Sequence, residues 1–327
     1  MMRRLFIVLA AAMILLSACA PGGGEASTSA PTTSSAGAEQ SAQGTCTFTD
    51  SLGNTVELEQ PPKRVAALLG SYAETWLLAG GEVVAVTQDA YDERGLELPE
   101  DTVNLGANQQ PDLEALFAAE PDLVLLTPDL DGQMGLRDSL EAAGIPAAWF
   151  KVETFDDYLN MLKICTDLTG RSDLYQKNGL DIQSEIDAAI ASVPEGEAPT
   201  VLLLRAYSSG VRAKNSDNIA GAILKDLGAA NIADSDSGLL EDLQMESILA
   251  ADPEFIFVTT MGASQEAALE SLDELLHSDP AWQTLTAVKE DRVEVLPKDL
   301  FHYKPNARWG ESYQMLAELM YGSGETA

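Results

Sequence analysis

Histidine, cysteine and basic side chains are scarce in this sequence, and each scarcity excludes a class of function. The 327 residues include two histidines and three cysteines, too few for a cysteine-rich zinc or iron–sulfur site. Lysine and arginine together number 19 against 52 acidic residues, which gives a formal net charge of −33. Such a surface repels nucleic acid and anionic lipid, so we expect no nucleic-acid partner.

Motifs for catalysis are missing as well. Neither His277 nor His302 lies in an H-E-x-x-H or nucleophile-elbow setting, and no glycine-rich phosphate loop follows a strand. An exported enzyme and a surface adhesin remain alternatives, although no segment singles out a pair of catalytic acids. We therefore expect a binding protein that is not an enzyme and carries no cofactor.

The N-terminus has the features of an export signal. A basic start leads into an apolar run at residues 5–16, which is too short to span a bilayer. The following Leu16-Ser17-Ala18-Cys19 resembles the bacterial lipobox, whose cysteine is lipidated and becomes the mature N-terminus. We predict a signal peptide at residues 1–18 and a lipidated Cys19; the alternative is an ordinary signal with an incidental cysteine.

Residues 19–45 form a predicted tether, rich in Gly, Ser, Thr, Ala, Pro and Gln and without an apolar face. We expect it to hold the folded body on the extracytoplasmic side of the cell membrane, and its length favours a Gram-positive surface. Cys46 and Cys165 remain after export. The sequence leaves two alternatives for them, a disulfide between them or two buried free thiols.

Strand and helix patterns alternate in two parts of the chain and predict an α/β fold. We expect an N-terminal lobe at residues 46–153 and a C-terminal lobe at residues 194–327. Helical spacing over residues 154–193 predicts the connection, with Gly170 and Gly179 as irregularities. The predicted architecture is two Rossmann-like lobes joined by a single long α-helix, with a ligand cleft between the lobes.

One helix–strand unit occurs twice in the sequence. The segment "LEALFAAEPDLVLL" at residues 113–126 parallels "MESILAADPEFIFV" at residues 245–258, and the alignment sets Glu114 on Glu246. Each glutamate is predicted to lie in the first turn of a helix capped by Asp112 or Asp242, where a carboxylate favours the helix dipole. The repeat indicates that the two lobes are related.

These motifs, with "PPKRVAALLGSYAETWLLAGG" at residues 61–81, the lipobox and the long helix, resemble the iron-siderophore, haem and cobalamin class of ABC-transporter substrate-binding lipoproteins. The resemblance covers about residues 47–321 and rests on the order and spacing of motifs that are individually loose. It implies a partner permease dimer with ATPase subunits, and a small-molecule metal chelate as ligand. It also implies that Glu114 and Glu246, one on each lobe, dock against arginines of the permease.

The ligand is expected beyond the carboxyl ends of the strands. The segment "PKDLFHYKPNAR" at residues 297–308 stands out there as a cationic and aromatic loop in an acidic chain, and the resemblance implies that it lines the pocket. Its end predicts Asn306 as the N-cap of the last helix. We rank a ferric siderophore-type chelate first, haem with His302, Tyr303 or Tyr72 as axial ligand second, and a corrinoid third. The predicted ligand-binding residues are Tyr72, Tyr91, Gln109, Arg205, Tyr207, Lys214, Phe301, His302, Tyr303 and Lys304.

Overall fold

The computed structural model describes residues 39–40, 44–196, 198–262 and 264–322. The predicted signal peptide, Cys19 and most of the tether lie outside these residues. The C-terminal end of the tether is not wholly without secondary structure, because residues 39–40 pair as a short strand with residues 46–47. No helix within the described ranges is long and apolar enough to cross a bilayer.

Three groups of strands form the framework. An antiparallel N-terminal sheet has the order β1-β2-β3, and the N-terminal lobe has a parallel sheet of order β6-β5-β4-β7-β8. The C-terminal lobe has the order β10-β9-β12-β13, in which β11 also pairs with β9 and only β10 is antiparallel. The strands are β1 Glu39–Gln40, β2 Cys46–Thr49, β3 Thr55–Leu58, β4 Val65–Ala67, β5 Val83–Val86, β6 Val103–Asn104, β7 Leu123–Leu126, β8 Ala147–Trp149, β9 Thr200–Tyr207, β10 Gly210–Ala213, β11 Ala230–Asn231, β12 Phe255–Thr260 and β13 Val293–Val295.

Helices follow most of the parallel strands and cover both faces of each sheet, as the alternating pattern predicts. A π-helical turn lies at Gln176–Leu180, and 3₁₀ turns lie at Pro280–Thr284 and Asn306–Arg308. The α-helices are α1 Gly70–Leu78, α2 Asp89–Asp92, α3 Leu113–Ala118, α4 Asp131–Met134, α5 Arg137–Ala143, α6 Phe155–Thr169, α7 Ser172–Tyr175, α8 Asp181–Ala191, α9 Ile219–Asp226, α10 Ile232–Ser235, α11 Gly238–Glu241, α12 Met245–Ala251, α13 Gln265–Ser278, α14 Thr286–Lys289, α15 Lys298–Phe301 and α16 Trp309–Tyr321.

The connection between the lobes is helical but is not one continuous helix. α6 ends where Gly170 adopts a left-handed conformation, φ +71°, which a glycine reaches without steric cost. A second helical stretch then runs through α7 and the π turn into α8. It first returns along α6, because a Cβ on Gly179 would meet Leu159 and Leu162. α8 then packs against α16. The connection is therefore a helical hairpin whose second arm reaches the C-terminal lobe, and not the single long helix that the sequence predicts.

One hydrophobic core is shared by the two sheets. Alternate residues of the central strands, such as Val65 and Leu125 in the N-terminal lobe and Leu203 and Phe257 in the C-terminal lobe, belong to the same buried cluster. Helices α1, α6, α8, α9 and α16 complete it. The opposite faces of the strands pack in separate outer clusters, as the two-residue period of a strand requires. The two lobes therefore cannot separate without exposing the shared cluster.

Both described cysteines are buried free thiols in this shared core. The structure thus agrees with the second alternative for Cys46 and Cys165, and contains no disulfide between β2 and α6. Burial raises the pKa of the Cys165 thiol well above its usual range, which keeps it protonated and weakly reactive.

The shared core predicts that the lobes unfold together. Phe257→Ala removes a fully buried ring and should lower the free energy of unfolding by about 3–5 kcal/mol. Calorimetry should show one transition at a lower temperature, and hydrogen exchange in β7 and β12 should accelerate together. Leu249→Ala, at a side chain that is 39% exposed, is the control and should change the stability by less than about 0.5 kcal/mol. Two separate transitions, with only the C-terminal lobe affected, would contradict the shared core.

Candidate functional site

A cavity of about 250 Å³ lies where the carboxyl ends of the parallel strands of both lobes meet, the place where open α/β sheets bind ligands. The N-terminal lobe supplies segments that follow β4, β5, β6 and β7. The C-terminal lobe supplies the ends of β12 and of the loop after α15. The lining residues are Leu69, Ser71, Asp89, Glu93, Arg94, Asn108, Gln109, Thr127, Asp129, Leu130, Met261, His302, Tyr303 and Lys304.

A fully buried glutamine holds the N-terminal wall of this cavity together. Gln133 accepts a hydrogen bond from the Thr127 amide (2.9 Å) and donates to the carbonyl oxygens of Leu68 (2.6 Å) and Asn108 (3.0 Å). Three loops that follow three different strands are thereby joined. Gly132 permits the close approach, because a Cβ at this position would lie 1.8 Å from the Gln109 carbonyl oxygen. The sequence analysis missed Gln133, since a single buried amide leaves no periodic signal.

Two cations from opposite lobes face this cavity. The Lys304 ammonium is recessed in the wall, and no hydrogen bond or ion pair is found for it among the described residues. Burial lowers the pKa of Lys304 and outweighs the nearby carboxylates of Asp129, Glu153 and Asp157, which raise it; Arg94 lowers it further. Arg94 pairs with Glu74, and its side chain is only 7% exposed, while its Nε has no partner. An unpaired ammonium in a recessed site is unfavourable until an anion reaches it.

Arg94 was not predicted, although the sequence carries a signal for it. It is the only lysine or arginine between Arg64 and Arg137, and it follows β5 at the ligand-binding edge of the sheet. A lone cation in a long acidic stretch at a strand end is an indication of anion binding.

His302 lies in the cavity wall and is uncharged at neutral pH. Burial lowers its pKa to about 4, and the neighbouring Arg205, Lys298 and Lys304 contribute to the shift. The ring lies 5.3 Å from that of Tyr303. A neutral imidazole beside a phenol offers both hydrogen-bonding capacity and a flat face, which suits a ligand with apolar as well as anionic parts.

Three acidic residues also line the cavity, and they are Asp89, Glu93 and Asp129. Asp89 accepts a hydrogen bond from the Gly70 amide (2.7 Å) at the start of α1. Partial desolvation raises the pKa of Glu93, and Asp89 adds to the shift. Burial also raises the pKa of Tyr303, which faces Glu93 across the cleft. The cavity is therefore mixed in charge, with two cations and three carboxylates in its lining.

The structure brings four of the ten predicted ligand-binding residues to this cavity, and they are Gln109, His302, Tyr303 and Lys304. Arg205 lies next to His302 but does not line the cavity; its Nε donates to Thr259 Oγ1 at 3.3 Å.

Two of the predicted ligand contacts are wrong because their side chains are core residues. Tyr72 is 1% exposed and donates its hydroxyl to the Phe150 carbonyl oxygen at 2.5 Å. Phe301 is fully buried, because the last turn of α15 points it into the shared core rather than the cleft.

Three further predicted residues lie away from this cavity. Tyr91 packs against the shared core, and none of Tyr91, Tyr207 and Lys214 lines the cavity. Tyr207 ends β9 in its hairpin with β10. Lys214 follows β10, where its backbone bonds to Leu203 and Asn231. A position at the end of a strand therefore does not by itself place a side chain in the cavity.

The repeated αβ unit places both glutamates as predicted. Glu114 and Glu246 are exposed in the first turns of α3 and α12. Asp112 caps α3, accepting from the Glu114 amide at 2.9 Å and from the Ala115 amide at 3.0 Å. The predicted cap at Asp242 is wrong, since the N-cap of α12 is Gln244 and makes no side-chain cap.

Residues 65–300 match the sequence profile described as periplasmic binding protein, a span that runs from β4 into α15 and ends just before the cavity residues His302, Tyr303 and Lys304. The chain belongs to the periplasmic binding protein family. As a periplasmic binding protein it works outside the cytoplasm as the substrate-binding component of an ABC importer, with a permease and an ATPase as partners. Members of this family bind and deliver small molecules and are not enzymes. Across the described residues, no cluster of three or more His, Cys, Asp or Glu side chains is placed to hold a metal ion directly.

Among curated relatives, the chain is similar to the Fe(3+) dicitrate-binding periplasmic protein FecB of Escherichia coli, with 27% identity over 76% of this chain and 80% of FecB. The Fe(3+)-citrate-binding protein YfmC of Bacillus subtilis is 22% identical over 73% of this chain and 74% of YfmC. Among solved structures, Staphylococcus aureus SirA complexed with staphyloferrin B matches at TM-score 0.62 and 23% identity, covering 84% of this chain and 97% of SirA. At that identity the structural match shows the fold alone.

The state of His302 predicts how stability depends on pH. Its pKa is about 4 in the folded protein and near 6.5 in an unfolded chain. Between these values the unfolded state binds the proton and the folded state does not, so stability falls as the pH drops from 6.5 to 4. His302→Gln should remove on the order of 2 kcal/mol of this loss. Urea unfolding at pH 6.5 and 4.5 measures it.

His277→Gln is the control, because His277 is an exposed residue in the last turn of α13. An equal acid sensitivity of the wild type and the His302 variant would show that His302 is not held neutral.

Proposed function

We propose that the protein captures a ferric chelate of the siderophore type, rich in carboxylates, in the interlobe cavity and delivers it to its permease. The observation that carries this proposal is the recessed Lys304 ammonium, which has no counter-charge bonded to it in the described structure and faces Arg94 from the other lobe. An anionic chelate would supply that charge through charge-assisted hydrogen bonds in a water-poor site. Iron enters as part of the cargo and needs no protein ligand.

The curated relatives support this proposal. FecB and YfmC are both named for binding ferric citrate, a chelate whose carboxylates match a recess lined by Arg94 and Lys304. The match covers about four fifths of FecB.

Haem is the second candidate, and His302 is the observation that favours it. A neutral imidazole can ligate iron, whereas a protonated one cannot, and Tyr303 lies beside it as another axial group. Staphylococcus aureus IsdE complexed with heme shares the fold at TM-score 0.65 and 15% identity, over 79% of this chain and 98% of IsdE. A corrinoid is a third ligand to test, although it offers less for the cations to bind.

Delivery would use the two exposed glutamates. Glu114 and Glu246 occupy equivalent helix starts on the two lobes, and the shared core fixes their separation. Two carboxylates at a fixed spacing would fit two basic sockets on a permease dimer and orient the complex. A lipid on Cys19 and a flexible tether would keep the protein at the membrane, on a Gram-positive cell surface.

The ligand proposal is tested by titrating the soluble body, residues 45–327, with ferric citrate, ferric carboxylate siderophores, haem and cobalamin. We expect a ferric chelate to quench tryptophan fluorescence at micromolar or lower concentration. Lys304→Met should weaken its binding by about ten- to hundredfold, because a charged hydrogen bond is lost. The same change should raise the stability of the ligand-free protein by about 1–3 kcal/mol, since it removes an unpaired recessed charge.

Lys214→Met is the matched control and should alter neither property. A Soret band that appears with haem and depends on His302 would show that the ligand is haem and not a ferric chelate. Unchanged chelate affinity in Lys304→Met would remove the basis of the proposal.

The docking proposal is tested with the double variant Glu114→Ala, Glu246→Ala. We expect ligand affinity to stay within about twofold, since both residues lie outside the cavity, while uptake of the labelled chelate by cells is lost. Each single variant should retain part of the uptake, and added salt should weaken the permease complex of the wild type. Full uptake by the double variant would refute docking through these glutamates.

A further inference from the structure

We propose that Glu74 is a positioning residue that fixes the spacing between the two cations of the ligand cavity, and that Asn306 transmits this constraint to the C-terminal wall. The inference rests on the proposed capture of an anionic chelate. It concerns residues that do not line the cavity themselves.

One carboxylate oxygen connects both walls. Glu74 lies in α1 of the N-terminal lobe, and its Oε2 accepts from the Arg94 guanidinium and from Asn306 Nδ2, the latter at 2.6 Å. Arg94 belongs to the N-terminal wall, whereas Asn306 belongs to the loop between α15 and α16. A single atom of Glu74 therefore touches groups from the two lobes.

Asn306 makes this contact from a buried position and an unusual backbone conformation. It does not cap the last helix as predicted. It is 1% exposed and has a left-handed backbone, φ +53°, a conformation uncommon outside glycine and kept only where surrounding contacts enforce it. Its Nδ2 donates to the Ser71 carbonyl oxygen (2.9 Å) as well as to Glu74. The N-cap of α16 is Arg308, which makes no side-chain cap.

The position of Asn306 in the chain means that its contact with Glu74 restrains the loop that carries Lys304. It follows Lys304 by two residues, with Pro305 between them, so the loop that carries the ammonium is held against α1 of the other lobe. The loop is also tight on its other side, since the amides of His302 and Tyr303 both donate to the Lys298 carbonyl oxygen, at 2.9 and 2.7 Å. Lys304 therefore has little freedom to move relative to Arg94.

The positive charges of Arg94 and Lys304 give a physical reason for these hydrogen bonds of Glu74. Arg94 lies close enough to Lys304 to lower its pKa, against the opposing effect of the carboxylates of Asp129 and Glu153, so the two cations repel each other. The Glu74 carboxylate is the group that bonds to Arg94 and, through Asn306, holds the loop of Lys304. Without these two hydrogen bonds we expect the repulsion to move the two walls apart. The clamp of Glu74, Arg94 and Asn306 thus selects ligands whose anionic groups have a matching separation.

The experiment compares Glu74→Gln, Glu74→Ala and Asn306→Gly, with Glu141→Gln on the exposed face of α5 as the charge control. Glu74→Gln keeps an oxygen for both hydrogen bonds and removes the negative charge. We expect it to strengthen binding of ferric citrate by about two- to fivefold and to steepen the salt dependence. Glu74→Ala should weaken binding by about tenfold or more, since both contacts are lost.

Asn306→Gly permits the positive φ and removes only the amide, so it should weaken binding to a similar extent without unfolding the protein. The double variant Glu74→Ala, Asn306→Gly should bind about as well as Glu74→Ala alone, because the contact that Asn306→Gly removes is already lost in that variant. A purely structural role would not give opposite effects for Gln and Ala at one position.

Hydrogen exchange of residues 298–306 in the ligand-free protein separates this inference from the proposed function. Exchange should accelerate in Glu74→Ala and Asn306→Gly and stay at the wild-type rate in Glu74→Gln and Glu141→Gln. If no ferric chelate binds the wild type, the proposed function fails, and the exchange rates still decide whether the clamp exists. Wild-type exchange in Glu74→Ala, or additive losses of affinity in the double variant, would overturn the inference.

Discussion

The burial of one face of each parallel sheet in a common core is the constraint on which the rest of the structure depends. Val65 and Leu125 on one side and Leu203 and Phe257 on the other belong to one cluster that helices of both lobes complete. Since apolar burial contributes about 25 cal/mol per Å², sliding or opening the lobes would expose surface at a high free-energy cost. The carboxyl ends of both sheets are thereby held around one cavity, with limited room for hinge motion.

Within this rigid framework, the ligand-free cavity holds charged side chains in an electrostatically unfavourable arrangement. The chain carries a net charge of −33, yet its cavity sets Arg94 and Lys304 close together and keeps His302 neutral between cations. The recessed ammonium lowers the stability of the ligand-free protein, and holding the histidine neutral lowers it only below about pH 6.5. An anionic ligand would relieve the cost of the recessed ammonium, which is the basis of the proposed chelate binding.

The repeated αβ unit shows how one local pattern can meet two requirements. A glutamate in the first turn stabilises a short helix through its dipole, which α3 and α12 need because neither exceeds seven residues. The same position leaves the carboxylate exposed on the surface of each lobe. Helix stability and partner recognition are therefore compatible at Glu114 and Glu246, and a sequence pattern alone does not separate the two.

The sequence by itself determined the α/β class, the two lobes and the repeated unit, because strand and helix periodicities are local properties of the chain. It also located the cationic loop, since Lys304 and His302 stand out in an acidic composition. Gly170 and Gly179 were found as irregularities, but periodicity does not reveal that the first reverses the chain while the second sits in a π turn.

Only the tertiary structure decided which side chains face the cavity. Tyr72 and Phe301 follow the same strand-end rule as Gln109 and Tyr303, yet they are core residues, because strand twist and helix rotation set side-chain direction over distances that local sequence does not encode. Asn306 has the appearance of a helix cap, but its partners Ser71 and Glu74 are more than 230 residues away in the chain. Contacts of that kind arise when the lobes dock, and therefore they are properties of the folded molecule.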